Sequence, residues 1–456
     1  METQAKTTEA TWQSLSPDEK LEKRLAVWLS APGVKFASPE AAAAYKERVI
    51  NMKDAMLLRK APARVPVIPN LGAFAEAYCG YSHKDVMYDV DKAIEVMNRC
   101  TLEFQIDTVI GSNAQPGMVY DSVDFKLYSW PGHGLADDAD GVQYNEGEYM
   151  GADEYDDFIK DPTYYWDRTY LPKVMGAMEP LQKLYPLCGS GATSSIPSSV
   201  SAYGLPEVQA ALQKMMAAGR ETLRWQQKMG AANRRLTELG FPSMAGGSSK
   251  APFDLIGDSM RGFRGIIMDM YQRPAKLLEA MESLVPILIQ MGVQTARIGG
   301  CPTVGFALHK GADGFMSEEQ FKTFYWAPLR KIILGLIEEG LIPRLGAQGG
   351  YNSRLEIIRD LPRGRTIWAF GHATDMALAK EVVGDVVCMT GNVPAALIHT
   401  GTPEEIVAYC LQLIETAGKG GGYMFSTAQG VNRNTKLENV RAMVQCAKEY
   451  AVHSNS

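Results

Sequence analysis

Three short apolar runs follow one another between Leu341 and Glu405, and each leads through a glycine-containing turn into a helix-like pattern. The runs occupy residues 341–345, 366–370 and 385–389. Strands buried on both faces read as continuous apolar runs, and parallel strands are joined by crossover helices. The segment therefore predicts an α/β fold, and the chain's 46% hydrophobic residues are enough for a large core.

Polar side chains follow each of these runs, where a strand ends and a loop begins. In barrels of parallel strands, the loops at the carboxyl ends of the strands build the active site. We therefore expect chemistry from the polar residues of these three loops, which are Gln348, Tyr351, Asn352, Arg354, His372, Thr374, Asp375 and Asn392.

The preceding part of the chain divides into a helical start and an irregular middle. Ser16 precedes a proline and two acids, a pattern typical of a helix start, and residues 1–60 are predicted to form a helical extension. Residues 65–69 are a plausible first strand. Residues 115–151 are rich in Gly, Asp and Tyr, and a loop region of that length is usually functional.

Charge and cysteine spacing exclude several protein classes. A net charge of −6 and a pI near 5.7 give no basic footprint for nucleic acid. The seven cysteines are scattered without a CxxC pair, which argues against a disulfide framework or a zinc ribbon. Without a signal peptide or an 18-residue apolar run, we expect a cytoplasmic protein that does not enter the membrane.

Two histidine loops are candidates for proton transfer. His309 ends an apolar run, where an imidazole can serve as an acid near neutral pH or as a structural hydrogen-bonding group. His372 and Asp375 are three residues apart, so either the acid orients the imidazole or the two side chains contact the substrate independently. A helix N-cap role for Thr374 or Asp375 is an equal alternative, because a helical pattern follows.

Arg344 lies inside an apolar strand. An unpaired guanidinium would be costly there, so this side chain should meet either a carboxylate or an anionic group of the substrate.

Four blocks of sequence carry a family resemblance: PFDLIGDSMRGFRGIIMDMYQRP, ADGFMSEEQFKTFYWAPLRKII, GNVPAALIHTGTPEEI and GGYMFSTAQGVNRNTKLENVRAMV. They resemble successive blocks of the uroporphyrinogen decarboxylase superfamily, from roughly residue 65 to the end of the chain. The resemblance implies a (β/α)8 TIM barrel over residues 61–456 behind the helical extension.

Two branches of the superfamily differ in their site residues. Porphyrin decarboxylases carry an arginine-rich loop, RQAGR, that holds the substrate carboxylates, whereas this chain has PNLGAFAEAYCG after its first strand. Thiol methyltransferases hold zinc through a His-x-Cys pair and a later Cys. Gly346, Gln348 and Gln429 align there, so no metal is expected at that position.

The resemblance therefore implies a substrate-side methyltransferase. It would pass a methyl group from a small donor, such as a methoxylated aromatic, to the cob(I)alamin of a separate corrinoid protein. Loop position alone, and not the resemblance, suggests His309, His372, Tyr351 and Asp375 as catalytic residues. The candidate substrate-binding residues are Arg344, from its place in an apolar strand, and the strand-end loop residues Asn113, Gln348, Arg354, Asn392 and Gln429.

The corrinoid is expected on a partner, because the chain lacks the Asp-x-His-x-x-Gly signature that binds it. Decarboxylase relatives pair as dimers, which implies a homodimer. Decarboxylation of a porphyrinogen or another acid, or a different lyase or hydrolase reaction, remains an alternative on the same barrel. A non-catalytic binding protein would instead have an apolar barrel mouth without a proton donor.

Overall fold

The computed structural model describes residues 12–111, 114–185, 194–296 and 300–450. The strands within these ranges form a small sheet in the order β2–β1–β3 and a parallel sheet in the order β4 to β9. Their bounds are β1 (Tyr128–Pro131), β2 (Gly134–Leu135), β3 (Gln143–Tyr144), β4 (Gly247–Ser248), β5 (Thr303–Leu308), β6 (Ile342–Ala347), β7 (Ile367–Phe370), β8 (Cys388–Val393) and β9 (Tyr423–Thr427).

Helices surround the parallel sheet. They are α1 (Pro17–Ser30), α2 (Pro39–Leu57), α3 (Gly72–Tyr78), α4 (His83–Tyr88), α5 (Val90–Phe104), α6 (Gly117–Val123), α7 (Tyr155–Lys160), α8 (Pro162–Tyr165), α9 (Leu171–Val174), α10 (Ile196–Ser201), α11 (Pro206–Glu238), α12 (Pro252–Ser259), α13 (Gly262–Gln272), α14 (Pro274–Ala296), α15 (Glu318–Gln320), α16 (Ala327–Glu338), α17 (Leu355–Ile358), α18 (Met376–Val383), α19 (Ala395–Thr400), α20 (Pro403–Ala417) and α21 (Leu437–Tyr450). Short π-helical turns occupy Trp166–Tyr170 and Phe321–Trp326, and 3₁₀ turns occupy Gly176–Lys183, Ala202–Gly204 and Asn352–Arg354. None of the helices in the described ranges is long and apolar enough to cross a membrane.

Two further segments complete the barrel to eight strand positions. Residues 66–68 exchange two backbone hydrogen bonds of 2.8 Å with Phe425 of β9. Residues 107–109 donate one backbone hydrogen bond to segment 66–68 and another to Pro242, which leads into β4. The structure therefore confirms the predicted (β/α)8 barrel.

The N-terminal helices cover the amino end of this barrel. Ser16 caps α1 through a capping box, which fixes where the helix begins. Apolar residues of α1 and α2 form one buried cluster with Ile342, Ile367 and Cys388, the first residues of three barrel strands. This packing confirms the predicted helical extension and leaves the carboxyl end of the barrel for the site.

The irregular middle of the chain forms an insertion between the second and third barrel positions. It contains β1 to β3 and short helices in place of one long loop. The insertion packs on α12: the backbone amides of Tyr149 and Met150 donate to the Met260 carbonyl, and the Tyr170 hydroxyl donates to the Ser259 carbonyl at 2.7 Å. The insertion therefore holds α12 from outside the barrel.

Candidate active site

The upper part of the barrel lumen is lined by small residues and is open to solvent. Ile342 packs in the cluster at the amino end, so Arg344 and Gly346 on the same strand face the lumen as well, since side chains alternate along a strand. Gly305 and Ala307 of β5 pair with these two residues. Ala307 is exposed although it lies within a central strand, because no large side chain fills the space in front of it.

Arg344 is a cation in the lumen wall without a charged partner. None of the carboxylates among the described residues lies within 4.0 Å of its guanidinium. Burial among protein atoms lowers the pKa of Arg344, and no carboxylate offsets this effect. Of the two partners expected from the sequence, a carboxylate is not found within the described ranges.

Thr390 adds a second polar group to the lumen. It lies on β8 two residues after Cys388, which belongs to the cluster at the amino end, so it faces the lumen by the same alternation. Its hydroxyl oxygen is buried and has no hydrogen-bond partner in the structure. A buried hydroxyl without a partner is costly, so Thr390 is a second polar group on this wall whose hydrogen-bonding capacity the described residues leave unused.

An acid, a histidine and a lysine meet at the carboxyl end of β5. Asp254 and Asp258 are four residues apart on α12 and therefore share one face of the helix. Nδ1 of His309 lies 2.6 Å from Oδ2 of Asp258. The Lys310 ammonium forms an ion pair with the other oxygen of the same carboxylate.

These contacts set the protonation of the cluster. Burial raises the pKa of Asp258, but the hydrogen bonds from His309 and Lys310 outweigh it and hold the pKa below its usual value. The hydrogen bond to Asp258 raises the pKa of His309. The His309 side chain is 41% exposed, so this arrangement presents at the barrel mouth an imidazole that keeps its proton to higher pH than a free histidine does.

Asp254 fixes the loop that carries His309. Its side chain is buried, and its two oxygens accept hydrogen bonds from the backbone amides of His309 at 3.0 Å and Lys310 at 2.9 Å. The Tyr325 hydroxyl donates to the same carboxylate at 2.6 Å. Burial raises the pKa of Asp254 to about 6.

The family description "Uroporphyrinogen decarboxylase (URO-D)" matches residues 207–450, more than half of the chain. The chain belongs to the uroporphyrinogen decarboxylase family. The matched range contains α12, β5 and the Asp258–His309 pair, so the acid–histidine cluster lies within the family's portion of the chain.

Curated relatives in the family are uroporphyrinogen decarboxylases from bacteria. The Methylococcus capsulatus protein is 28% identical over 204 residues, which cover 44% of this chain and 56% of that relative. The Saccharophagus degradans protein is 24% identical over 221 residues, covering 48% and 60%. The chain thus spans little more than half the length of the curated relatives it matches.

A solved methyltransferase from Methanosarcina mazei has a similar fold. It superposes with a TM-score of 0.54 at 14% sequence identity, covering 88% of this chain and 98% of that protein. At this identity the similarity shows the shared fold alone.

Tyr351 lies in the core beneath the site. The side chain is fully buried against Trp368, with ring centroids 6.1 Å apart, and its hydroxyl has no hydrogen-bond partner. Both Tyr351 and Tyr325 pack under Gly311, where an added Cβ would lie within 2.8 Å of each. The structure therefore places Tyr351 behind the His309 loop, whereas the sequence predicted a donor in the barrel mouth.

His372 and Asp375 line a separate polar cavity of about 340 Å³. The Asp375 carboxylate accepts hydrogen bonds from the backbone amides of Ala377 at 2.9 Å and Leu378 at 3.1 Å. Asp375 is therefore the N-cap of α18. No ion pair within 4.0 Å joins it to His372, both of which are described residues. The structure thus shows the capping alternative, and the predicted orientation of His372 by Asp375 is absent.

Two of the predicted substrate-binding residues, Arg354 and Asn392, form hydrogen bonds with the protein's own backbone. Arg354 is buried, donates to the Met316 carbonyl at 2.6 Å and lies 4.6 Å above the Phe321 ring. The Asn392 side-chain amide donates to the carbonyls of Gly371 at 3.0 Å and Thr374 at 2.8 Å. Both side chains therefore hold neighbouring loops in place.

Gln348 and Gln429 are exposed just beyond the ends of β6 and β9. Asn113 lies outside the described residues. Gly346, Gln348 and Gln429, the residues compared above with the zinc ligands of thiol methyltransferases, carry no thiolate or imidazole group. In the described portion of the chain, no group of three or more His, Cys, Asp or Glu side chains is placed to hold a metal ion.

Proposed function

We propose that this protein transfers a methyl group from a small, anionic methoxylated aromatic to the cob(I)alamin of a separate corrinoid protein. The observation that carries the proposal is the His309–Asp258 pair at the mouth of an open lumen whose wall contains the unpaired Arg344. The named function of the Methanosarcina mazei neighbour, a methyltransferase, supports the same assignment.

Arg344 supports a substrate with one anionic group. A guanidinium binds a carboxylate through two parallel hydrogen bonds, and the unpaired hydroxyl of Thr390 offers an additional donor. A porphyrinogen with eight carboxylates would need many cations. The segment after the first barrel strand, residues 69–80, contains no arginine or lysine to supply them.

His309 supports protonation of the leaving oxygen. In the proposed reaction the methyl carbon forms a bond to cobalt with the electron pair of cob(I)alamin. The carbon–oxygen bond breaks, its electron pair stays on oxygen, and the His309 proton completes the phenol. The hydrogen bond to Asp258 orients the His309 ring so that it can give this proton to the oxygen. General acids of this kind contribute about 100- to 10,000-fold to a rate.

The open lumen suits a large co-substrate that approaches from outside. Solvent reaches Ala307 within the barrel, so a methyl group held near it is accessible from the mouth. The chain positions the donor, which is the main demand when the nucleophile is already strong.

The test is an anaerobic absorbance assay with reduced cobalamin, free or on a corrinoid protein. The matched donors are para-methoxybenzoate and uncharged para-methoxybenzyl alcohol. We expect methylation of cobalamin with the acid, a much weaker reaction with the alcohol, and loss of both on His309→Ala.

Glu319→Ala serves as the control, because Glu319 is exposed on α15 and lies outside the candidate site. The absence of methylation with every donor, even with a competent corrinoid protein, would refute the proposal. Release of carbon dioxide from an aromatic acid or a porphyrinogen would instead support the decarboxylase activity for which the curated relatives are named.

A further inference from the structure

A second cavity lies outside the barrel, between the insertion and the helices it covers. It has a volume of about 470 Å³, within the range of roughly 300–1,000 Å³ that is typical of small-molecule sites. Phe125, Tyr128, Tyr144 and Trp166 of the insertion form one wall, and aliphatic side chains of α14 form the other. We propose that this cavity binds a planar aromatic molecule with one anionic group.

The walls favour a flat apolar ligand. The rings of Phe125 and Tyr128 stack with centroids 5.8 Å apart, and Tyr128 meets Tyr144 edge to face at 5.5 Å. Leu284 and Leu288 face them from α14. Aromatic walls of this kind bind flat rings through offset and edge contacts as well as through apolar burial.

Two polar groups give the cavity its specificity. The Tyr144 hydroxyl is buried and has no hydrogen-bond partner, so a ligand oxygen that accepts a hydrogen bond from it would satisfy it. Lys250 lines the cavity with an exposed ammonium, and no described carboxylate lies within 4.0 Å of it. Asp167 also lines the cavity and is exposed, so its negative charge should weaken the binding of an anion.

The cavity is separate from the lumen but shares a helix with the candidate active site. Leu255 and Ser259 line it from α12, each one residue after an acid of the His309 cluster. Asp258 lies close enough to Tyr128 and Tyr144 to raise the pKa of both hydroxyls, after burial as the main cause. A ligand in this cavity would therefore contact the helix that positions Asp258.

The test uses two fluorescent probes of matched shape. Anilinonaphthalene sulfonate carries an anion, and phenylnaphthylamine lacks it. We expect saturable binding of both at one site per chain, with energy transfer from Trp166 that is lost in Trp166→Phe. Lys250→Met should weaken the sulfonate about tenfold and leave the neutral probe unchanged, while Asp167→Asn should strengthen the sulfonate alone.

Leu288→Trp should fill the cavity and abolish binding of both probes, with a far-ultraviolet circular dichroism spectrum like that of the wild-type protein. Leu284→Met, which keeps the volume, should retain binding and controls for loss of fold. Arg344→Met should have no effect on either probe. Binding that is non-saturable, that survives Leu288→Trp in the folded protein, or that is lost with Arg344→Met would overturn the proposal.

Discussion

His309 and Asp258 are joined across the mouth of the barrel, with 2.6 Å between Nδ1 and Oδ2. The histidine ends β5 and the acid lies on α12, 51 residues earlier in the chain. Because Lys310 and the backbone contacts of Asp254 hold both sides of this pair, the imidazole is oriented before a substrate arrives.

The first prediction concerns the pH dependence of catalysis. Asp258→Asn removes the hydrogen bond that raises the His309 pKa, so the protonated imidazole should be lost at a lower pH. The activity of the wild-type protein should fall as pH rises through the His309 pKa, and the fall should begin at lower pH in the variant. A profile of kcat/KM against pH measures this, and identical alkaline limbs in the two proteins would contradict it.

Asp254 should make the folded protein less stable as pH rises. Its pKa is raised to about 6 by burial, so the folded chain keeps a proton that the unfolded chain releases near pH 4. In that window the unfolded state binds fewer protons, and the unfolding free energy falls as pH rises from about 4 to about 6.

Urea unfolding at several pH values measures this fall, which should be on the order of 3 kcal/mol and absent in Asp254→Asn. Tyr325→Phe removes a hydrogen bond that lowers the Asp254 pKa, so the fall should extend to higher pH. An unchanged window in the Tyr325 variant would show that this contact has no electrostatic effect.

Arg344 should contribute to substrate binding and little to stability. Arg344→Met removes a guanidinium that solvent reaches, so the unfolding free energy should change by no more than about 1 kcal/mol. The same change should raise KM for an anionic donor about 10- to 100-fold, since hydrogen bonds between charged groups contribute roughly 1.5–3 kcal/mol.

The Arg344 prediction is checked by urea unfolding together with steady-state kinetics, and Arg344→Lys is the matched control that keeps the charge. Loss of stability with unchanged KM would mean that the guanidinium has a structural partner and no role in binding.

Asp375 should matter for stability and not for chemistry. Asp375→Ala removes the N-cap of α18 and should lower the unfolding free energy by about 1 kcal/mol. Asp375→Asn keeps a capping oxygen and should restore most of it. A large loss of kcat with either variant would revive the role beside His372 that the sequence suggested.

The sequence was most informative where local rules decide the structure. The apolar runs predicted β6 to β8, and Ser16 predicted the start of α1. These features depend on burial and capping, both of which act within a few residues.

The site depended on contacts that are distant in the chain. Asp254 and Asp258 have helical i, i+4 spacing in PFDLIGDS, which was a signal for two acids on one face. The sequence could not show that His309 is the partner of Asp258, because α12 and β5 meet only when the barrel closes. Likewise, Tyr351 follows a barrel strand, which is the position expected of a residue at the barrel mouth, but its ring is buried in the core.

The most direct test of the central proposal is the stoichiometry of one turnover. The protein, cob(I)alamin on a corrinoid protein and para-methoxybenzoate are mixed without oxygen, and cobalt methylation, para-hydroxybenzoate and carbon dioxide are measured together. The account predicts one para-hydroxybenzoate for each methylated cobalt and no carbon dioxide. Carbon dioxide release without para-hydroxybenzoate, or cobalt methylation that is undiminished in His309→Ala, would contradict it.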